Sequence, residues 1–113
     1  MKTYITNSFS INMLLGLGAN NVRNVRFAPI SVEDARNILN TTDELICGIG
    51  HADTAAVVGS QLGLELTANR LNVVLGDDVQ LVVAQYTGPR LPEGVTKLPQ
   101  GASIRYWMVT TIQ

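Results

Sequence analysis

The feature that most constrains this chain is the passage Cys47-Gly48-Ile49-Gly50-His51-Ala52-Asp53-Thr54, where an apolar stretch breaks at two glycines and gives way to a helical pattern. The unbroken apolar run of residues 44–49 reads as a strand covered on both faces. Beyond it Ala55, Val58 and Leu62 recur on one side, Asp53 sits in the first turn where its charge suits the helix dipole, and Gly63 ends the pattern. A strand that feeds straight into a helix points to an α/β fold. It also exposes backbone N–H groups at the positive end of a helix dipole, where an anion can reach them. His51, the sole histidine, would stand at that anion. Imidazole is the natural proton donor to an oxyanion leaving group, so the passage suggests phosphate-ester cleavage or phosphate binding. The same residues also suit a histidine that merely fills a helix start.

The surrounding sequence supplies the other elements. An alternating run from Tyr4 to Phe9 predicts a first strand, with Ser10 and Asn12 at its C-terminal edge. Residues 13–18 are apolar with two glycines and fit either a short helical turn or a loop packed on the body. Residues 25–28 form a short alternating strand stopped by Pro29. Ser31 then caps a helix, with Asp34 three residues on and Val32, Ala35, Ile38 and Leu39 on one face. Two further strand-like runs, 71–75 and 79–86, flank Gly76-Asp77-Asp78 and predict a hairpin. Thr87-Gly88-Pro89-Arg90-Leu91-Pro92-Glu93-Gly94 is a stiff loop carrying one cation and one carboxylate, and residues 104–112 close the chain as a strand. The expectation is one α/β domain over residues 1–113, with a mixed, mainly parallel β-sheet flanked by helices.

Composition narrows what such a domain can do. With 46% hydrophobic and 15% charged residues among 113, the chain can bury a core and leaves a modestly charged surface, on which an apolar patch and self-association are expected. The net charge of −1 provides no global field for long nucleic acid, so a polyanion must meet a local site. Arg23, Arg26, Arg36, Arg70, Arg90 and Arg105 make up six of the eight basic residues, and guanidinium suits bidentate phosphate recognition. Cys47 is alone, which excludes an internal disulfide, and Cys47 with His51 is too small a set for zinc. No metal or cofactor is expected. The first residues lack the apolar stretch of a signal peptide and nothing later reaches membrane-spanning length, so the expected location is the cytoplasm.

Phosphate loops ending in Lys-Ser/Thr, dinucleotide fingerprints, paired-histidine metal motifs and nucleophile elbows are all missing from the sequence. One histidine, arginines in turns and short polar groups at strand ends remain. That set suits metal-free phosphodiester transfer, in which an internal hydroxyl attacks, arginines stabilise developing charge and an acid protonates the leaving oxygen. RNA carries such a hydroxyl beside each phosphorus. Aromatic residues make up only 5%, which favours a small nucleotide in a pocket over a stacking platform for long strands.

Ser8-Phe9-Ser10-Ile11-Asn12-Met13-Leu14, Ile49-Gly50-His51, Asn69-Arg70 and Arg90-Leu91-Pro92-Glu93-Gly94, in that order over nearly the whole chain, resemble the viral anti-CRISPR ring nucleases. The resemblance implies an enzyme that degrades cyclic tetra-adenylate, the second messenger of type III CRISPR defence, in a pocket formed across a homodimer. It implies His51 as general acid, Arg90 and Arg70 on phosphate or shaping the site, Glu93 assisting His51, Ser10 and Asn12 contacting the ligand near the scissile bond, and Gly50 at the ligand. The sequence departs from the family pattern at Gly88-Pro89, directly before Arg90, and in the glycine- and asparagine-rich stretch 15–23. Two other readings stand beside this one: a sponge that binds a cyclic nucleotide without cutting it, and an interaction protein that works through an apolar surface.

Overall fold

The first strand, β1 (Lys2–Thr6), lies inside the sheet, with β3 (Glu44–Cys47) on one side and β4 (Val79–Thr87) on the other, both parallel to it. Beyond β4 the direction reverses. β5 (Ser103–Ile112) runs antiparallel to β4, and β2 (Asn24–Ile30) runs antiparallel to β5, giving the order β2-β5-β4-β1-β3. This is a computed structural model, and it describes residues 1–17, 23–76 and 78–112, the side chains of 15–17 excepted. The sheet is evenly mixed, with two parallel and two antiparallel pairs, and not mainly parallel as the early strand–helix alternation suggested.

Two helices cover one face. α1 (Val32–Thr41) starts as the sequence predicts: the Ser31 hydroxyl accepts the Asp34 N–H at 3.0 Å, and Glu33 and Asp34 place acidic charge in the first turn. α2 (Ala52–Leu62) ends at Gly63, which adopts the left-handed conformation at φ 68°. Ala35 and Leu39 from α1, and Ala55, Val58 and Leu62 from α2, pack on Ile5, Val82, Ala84 and Tyr106 to form the main core. Arg36 ties the helices together by donating to the carbonyl oxygens of Gln61 and Leu62, which helix geometry leaves without partners. The opposite face carries a second cluster, in which Met13 joins Val73, Leu75, Leu81, Val83 and Val109.

Several expected elements differ. β1 stops at Thr6, three residues before the predicted end, where the Thr6 hydroxyl turns back to the Ser8 carbonyl. Residues 11–17 form a 3₁₀ helix, Ile11–Leu17. β2 runs through Pro29 to Ile30, tolerated because β2 is an edge strand and needs no donor on its outer side. β3 is also at an edge and only partly buried, so its apolar run does not reflect cover on both faces.

The predicted hairpin is absent. Residues 71–76 hold no strand, and β4 pairs with β1 and β5. Val73 and Leu75 are nevertheless buried while Leu71 and Val74 are exposed, because the segment lies across the second face as a cover and its Leu75 N–H donates to the Met13 carbonyl at 2.8 Å. Asp77, the middle of the expected turn, lies outside the described residues, as do residues 18–22 of the stretch that departs from the ring-nuclease pattern.

Candidate functional site

β1, β3 and β4 all end at the same edge of the sheet, so the loops that follow Thr6, Cys47 and Thr87 converge there. In open α/β sheets this is where ligands bind. The loop after β3 is short. Gly48 donates its N–H to the Ile5 carbonyl at 2.8 Å, and a Cβ there would meet Val73 Cγ2 at 3.1 Å and Thr6 Cγ2 at 3.2 Å, so the chain passes close beneath both. His51 then takes the N-cap position of α2 in extended conformation, with φ −115° and ψ 132°. Its carbonyl accepts the Ala55 N–H, but its side chain makes no capping bond and is exposed.

His51 lines a cleft of about 620 Å³ whose lining also includes Asp53 and Thr54 from the first turn of α2. The end of β4 and the loop after it contribute Tyr86, Gly88, Arg90 and Leu91 to the same lining. Gly88 is required where it stands. A Cβ there would lie 2.7 Å from Ala102 Cβ and 2.8 Å from its Cα, and φ is 151°. The loop is fastened at both ends of its charged segment: the Tyr86 hydroxyl donates to the Pro89 carbonyl, and the Gly94 N–H donates to Asp53 Oδ1 at 3.1 Å.

The other expected residues divide into two sets. Arg70 lies against the turn before His51, its Nε donating to the Gly50 carbonyl at 3.5 Å and its Cγ 3.3 Å from where a Gly50 Cβ would stand. Asn69 supports it, donating its backbone N–H to the Ile49 carbonyl at 2.8 Å. Ser10 and Asn12 follow β1 but are not part of the cleft lining. The Ser10 hydroxyl accepts the Asn12 N–H at 3.3 Å and the Ser10 carbonyl accepts the Met13 N–H at 3.0 Å, so Ser10 opens the 3₁₀ helix. Glu93 stands on the exposed loop, one residue before the Gly94 anchor, outside the lining.

The structure therefore unites His51 and Arg90, with Gly50 and Arg70 behind the histidine turn. It adds Asp53, Thr54 and Tyr86, which sequence reasoning missed as site residues. Asp53 carried a signal, an acid two residues after the histidine, but a favourable dipole charge already accounted for it. Among the described residues, no group of three or more His, Cys, Asp or Glu could hold a metal ion, and no helix is long and apolar enough to cross a membrane.

Sheet and cleft together define a small mixed-sheet α/β protein with a histidine and an arginine lining one cleft at the strand ends. The chain belongs to the STIV B116-like family, whose model matches residues 3–103. Among solved structures it is similar to B116 of Sulfolobus turreted icosahedral virus, at 27% identity and a TM-score of 0.78, over 96% of this chain and 98% of that one. No curated protein matches it. The relationship is thus to a viral protein.

Proposed function

We propose that this protein is a metal-independent ring nuclease that cleaves cyclic tetra-adenylate to linear di-adenylate and so switches off type III CRISPR signalling. The observation that carries the reading is the presence of both His51 and Arg90 in the lining of one cleft at the start of α2. The ribose 2′ oxygen attacks the adjacent phosphorus, the bond to the 5′ oxygen breaks, and His51 donates the proton that the departing oxygen needs. The proton of the 2′ hydroxyl passes to solvent, and the product carries a 2′,3′-cyclic phosphate or, after hydrolysis, a terminal phosphate. Arg90 offsets charge on the crowded phosphoryl group, where a fixed cation stabilises the transition state more than the ground state. Arg70 backs the turn that presents His51, and Glu93 assists from the loop.

A cyclic ligand with its own symmetry suits a two-fold assembly, so the working form in this reading is a homodimer in which each protomer contributes one such cleft. Ser10 and Asn12, at the same end of the sheet but outside the cleft, then meet parts of the ring beyond the scissile phosphate. A viral protein of this kind acts in the cytoplasm of the infected cell.

The exposed His51 side chain has no hydrogen-bond partner among the described residues, and that favours a second reading, a sponge that binds the ring without cutting it. Incubation of the purified protein with cyclic tetra-adenylate in EDTA, followed by chromatography, separates the two. Linear di-adenylate is the expected product. Tight binding with the ring intact after long incubation with stoichiometric protein points to the sponge, and no binding at all removes both.

A further inference from the structure

Asp53 supplies the carboxylate of the cleft lining, an unexpected neighbour for a site meant to receive phosphate. Its Oδ1 is already engaged by the Gly94 N–H at 3.1 Å. That bond joins the helix that begins at His51 to the loop that carries Arg90 and Glu93, two elements far apart in sequence. We propose that Asp53 is a positioning residue: its carboxylate fixes residues 90–93 relative to His51, so that the acid and the phosphate-binding cation face one another at a set separation.

Three observations support this assignment. The first is rigidity on the Asp53 side. Asp53 lies two residues after the N-cap, in the first turn of an eleven-residue helix whose Ala55, Val57, Val58 and Leu62 are buried, so Asp53 and His51 share one firmly seated frame. The second is the shape of the loop. Glycines in conformations disfavoured for other residues stand at its two ends, Gly88 at φ 151° and Gly94 at φ 79°, while Pro89 and Pro92 stiffen what lies between. A stiff segment between two adaptable joints moves as a body unless both joints are held. The third is that both joints are held, by Tyr86 at Pro89 and by Asp53 at Gly94. A hydrogen bond to a charged acceptor is stronger than a neutral one, which suits an exposed loop that water would otherwise solvate.

The structural part of this proposal stands alone, whereas its catalytic part rests on the ring-nuclease reading, and the experiment separates them. In protein without nucleotide, amide exchange at Gly94 is followed by NMR in wild type, D53A and D53N. Asparagine keeps an acceptor oxygen and loses only the charge. Gly94 exchange is expected to rise at least about tenfold in D53A and to stay within about threefold of wild type in D53N. A scalar coupling across the hydrogen bond, between the Gly94 nitrogen and the Asp53 carboxyl carbon, reports the same contact in wild type, should D53A fail to fold.

With cyclic tetra-adenylate, D53A is expected to lower kcat by about 10- to 100-fold with KM changed far less, the mark of lost alignment. D53N should recover most of kcat with the pH profile of wild type. Unchanged Gly94 exchange in D53A, or no detectable coupling, overturns the tether. A D53N protein as impaired as D53A, or with a displaced pH profile, shows that the charge acts on His51 directly and overturns the positioning role. If wild type leaves the ring intact, the ring-nuclease reading fails, and exchange and coupling still decide the tether.

Discussion

The Asn69 side-chain amide donates to the Cys47 carbonyl oxygen at 3.1 Å, on the segment that leads from β3 into the His51 turn. With the Asn69 N–H on Ile49, this makes the segment a partial neighbour for β3, which is otherwise an open edge. N69A removes the side-chain donor and is expected to lower unfolding free energy by about 1 kcal/mol. N69D is expected to cost more, because a carboxylate oxygen then confronts the carbonyl oxygen. Urea denaturation of the three proteins checks the order, and an A variant as stable as wild type would show that the bond contributes nothing.

Gly59 in α2 gives a sharper test of packing. Alanine there gains up to about 1 kcal/mol in helix propensity. Against that gain, a Cβ would stand 2.5 Å from the Leu64 carbonyl oxygen, which belongs to backbone returning under the helix and cannot rotate away. The Leu64 N–H also donates to the Gly59 carbonyl at 2.9 Å, so the two segments are fixed to each other. G59A is therefore expected to destabilise by roughly 2 kcal/mol, the usual range for forced overpacking, in calorimetry or denaturant unfolding.

Tyr106 predicts a specific alkaline behaviour. Burial pushes its phenol up to about 12, against the opposing influence of the Arg36 cation, and its hydroxyl donates to Gln61 Oε1 at 2.5 Å. An unfolded tyrosine ionises near 10. The folded state thus favours the neutral form, and the resulting stability is complete below pH 10 and is lost as pH rises from there through 12. Ultraviolet titration should show one phenol ionising near the top of that window, and Y106F should lack it. Y106F is expected to be less stable near neutrality, since Gln61 loses its donor, but to decline less steeply above pH 10.

The proposed chemistry divides the roles of His51 and Arg90. H51A should lower kcat by about 10²- to 10⁴-fold, the range for a lost general acid, while the ring still binds within a fewfold of wild type. R90A should impair both binding and turnover, and R90K should recover binding better than turnover, because ammonium lacks the planar fork. Single-turnover cleavage together with calorimetric titration of uncut ring separates the two parameters.

What the sequence made legible was governed by local interactions. Ser31 with Asp34, and Gly63 after Leu62, mark helix ends through contacts within a few residues, and both helices stand where those residues placed them. The strand-like runs 79–86 and 104–112 were likewise recognisable from their β-branched and aromatic content. Pairing was not legible. The burial alternation at Val73 and Leu75 is real, but period-two burial needs only a flat apolar surface beneath the segment, not a ladder partner beside it. The half-buried edge strand β3 reads like a covered strand because four residues are too few to show alternation. In the candidate site, His51 could be picked out by its side-chain type at a helix start, and Arg90 by the resemblance that its loop carries. The bond between Asp53 and Gly94 could not, since a backbone N–H is offered by every residue except proline.

The strand order also governs when this molecule can become a molecule at all. Among the described residues β2 pairs with the sheet only through β5, which lies more than seventy residues further along the chain, and β1 awaits β4 for its second partner. Contacts of such long sequence separation are entropically slow to close. A nascent chain on the ribosome therefore keeps β2 unpaired until residues 103–112 have emerged, and a product truncated before residue 103 leaves β2 with no ladder to join.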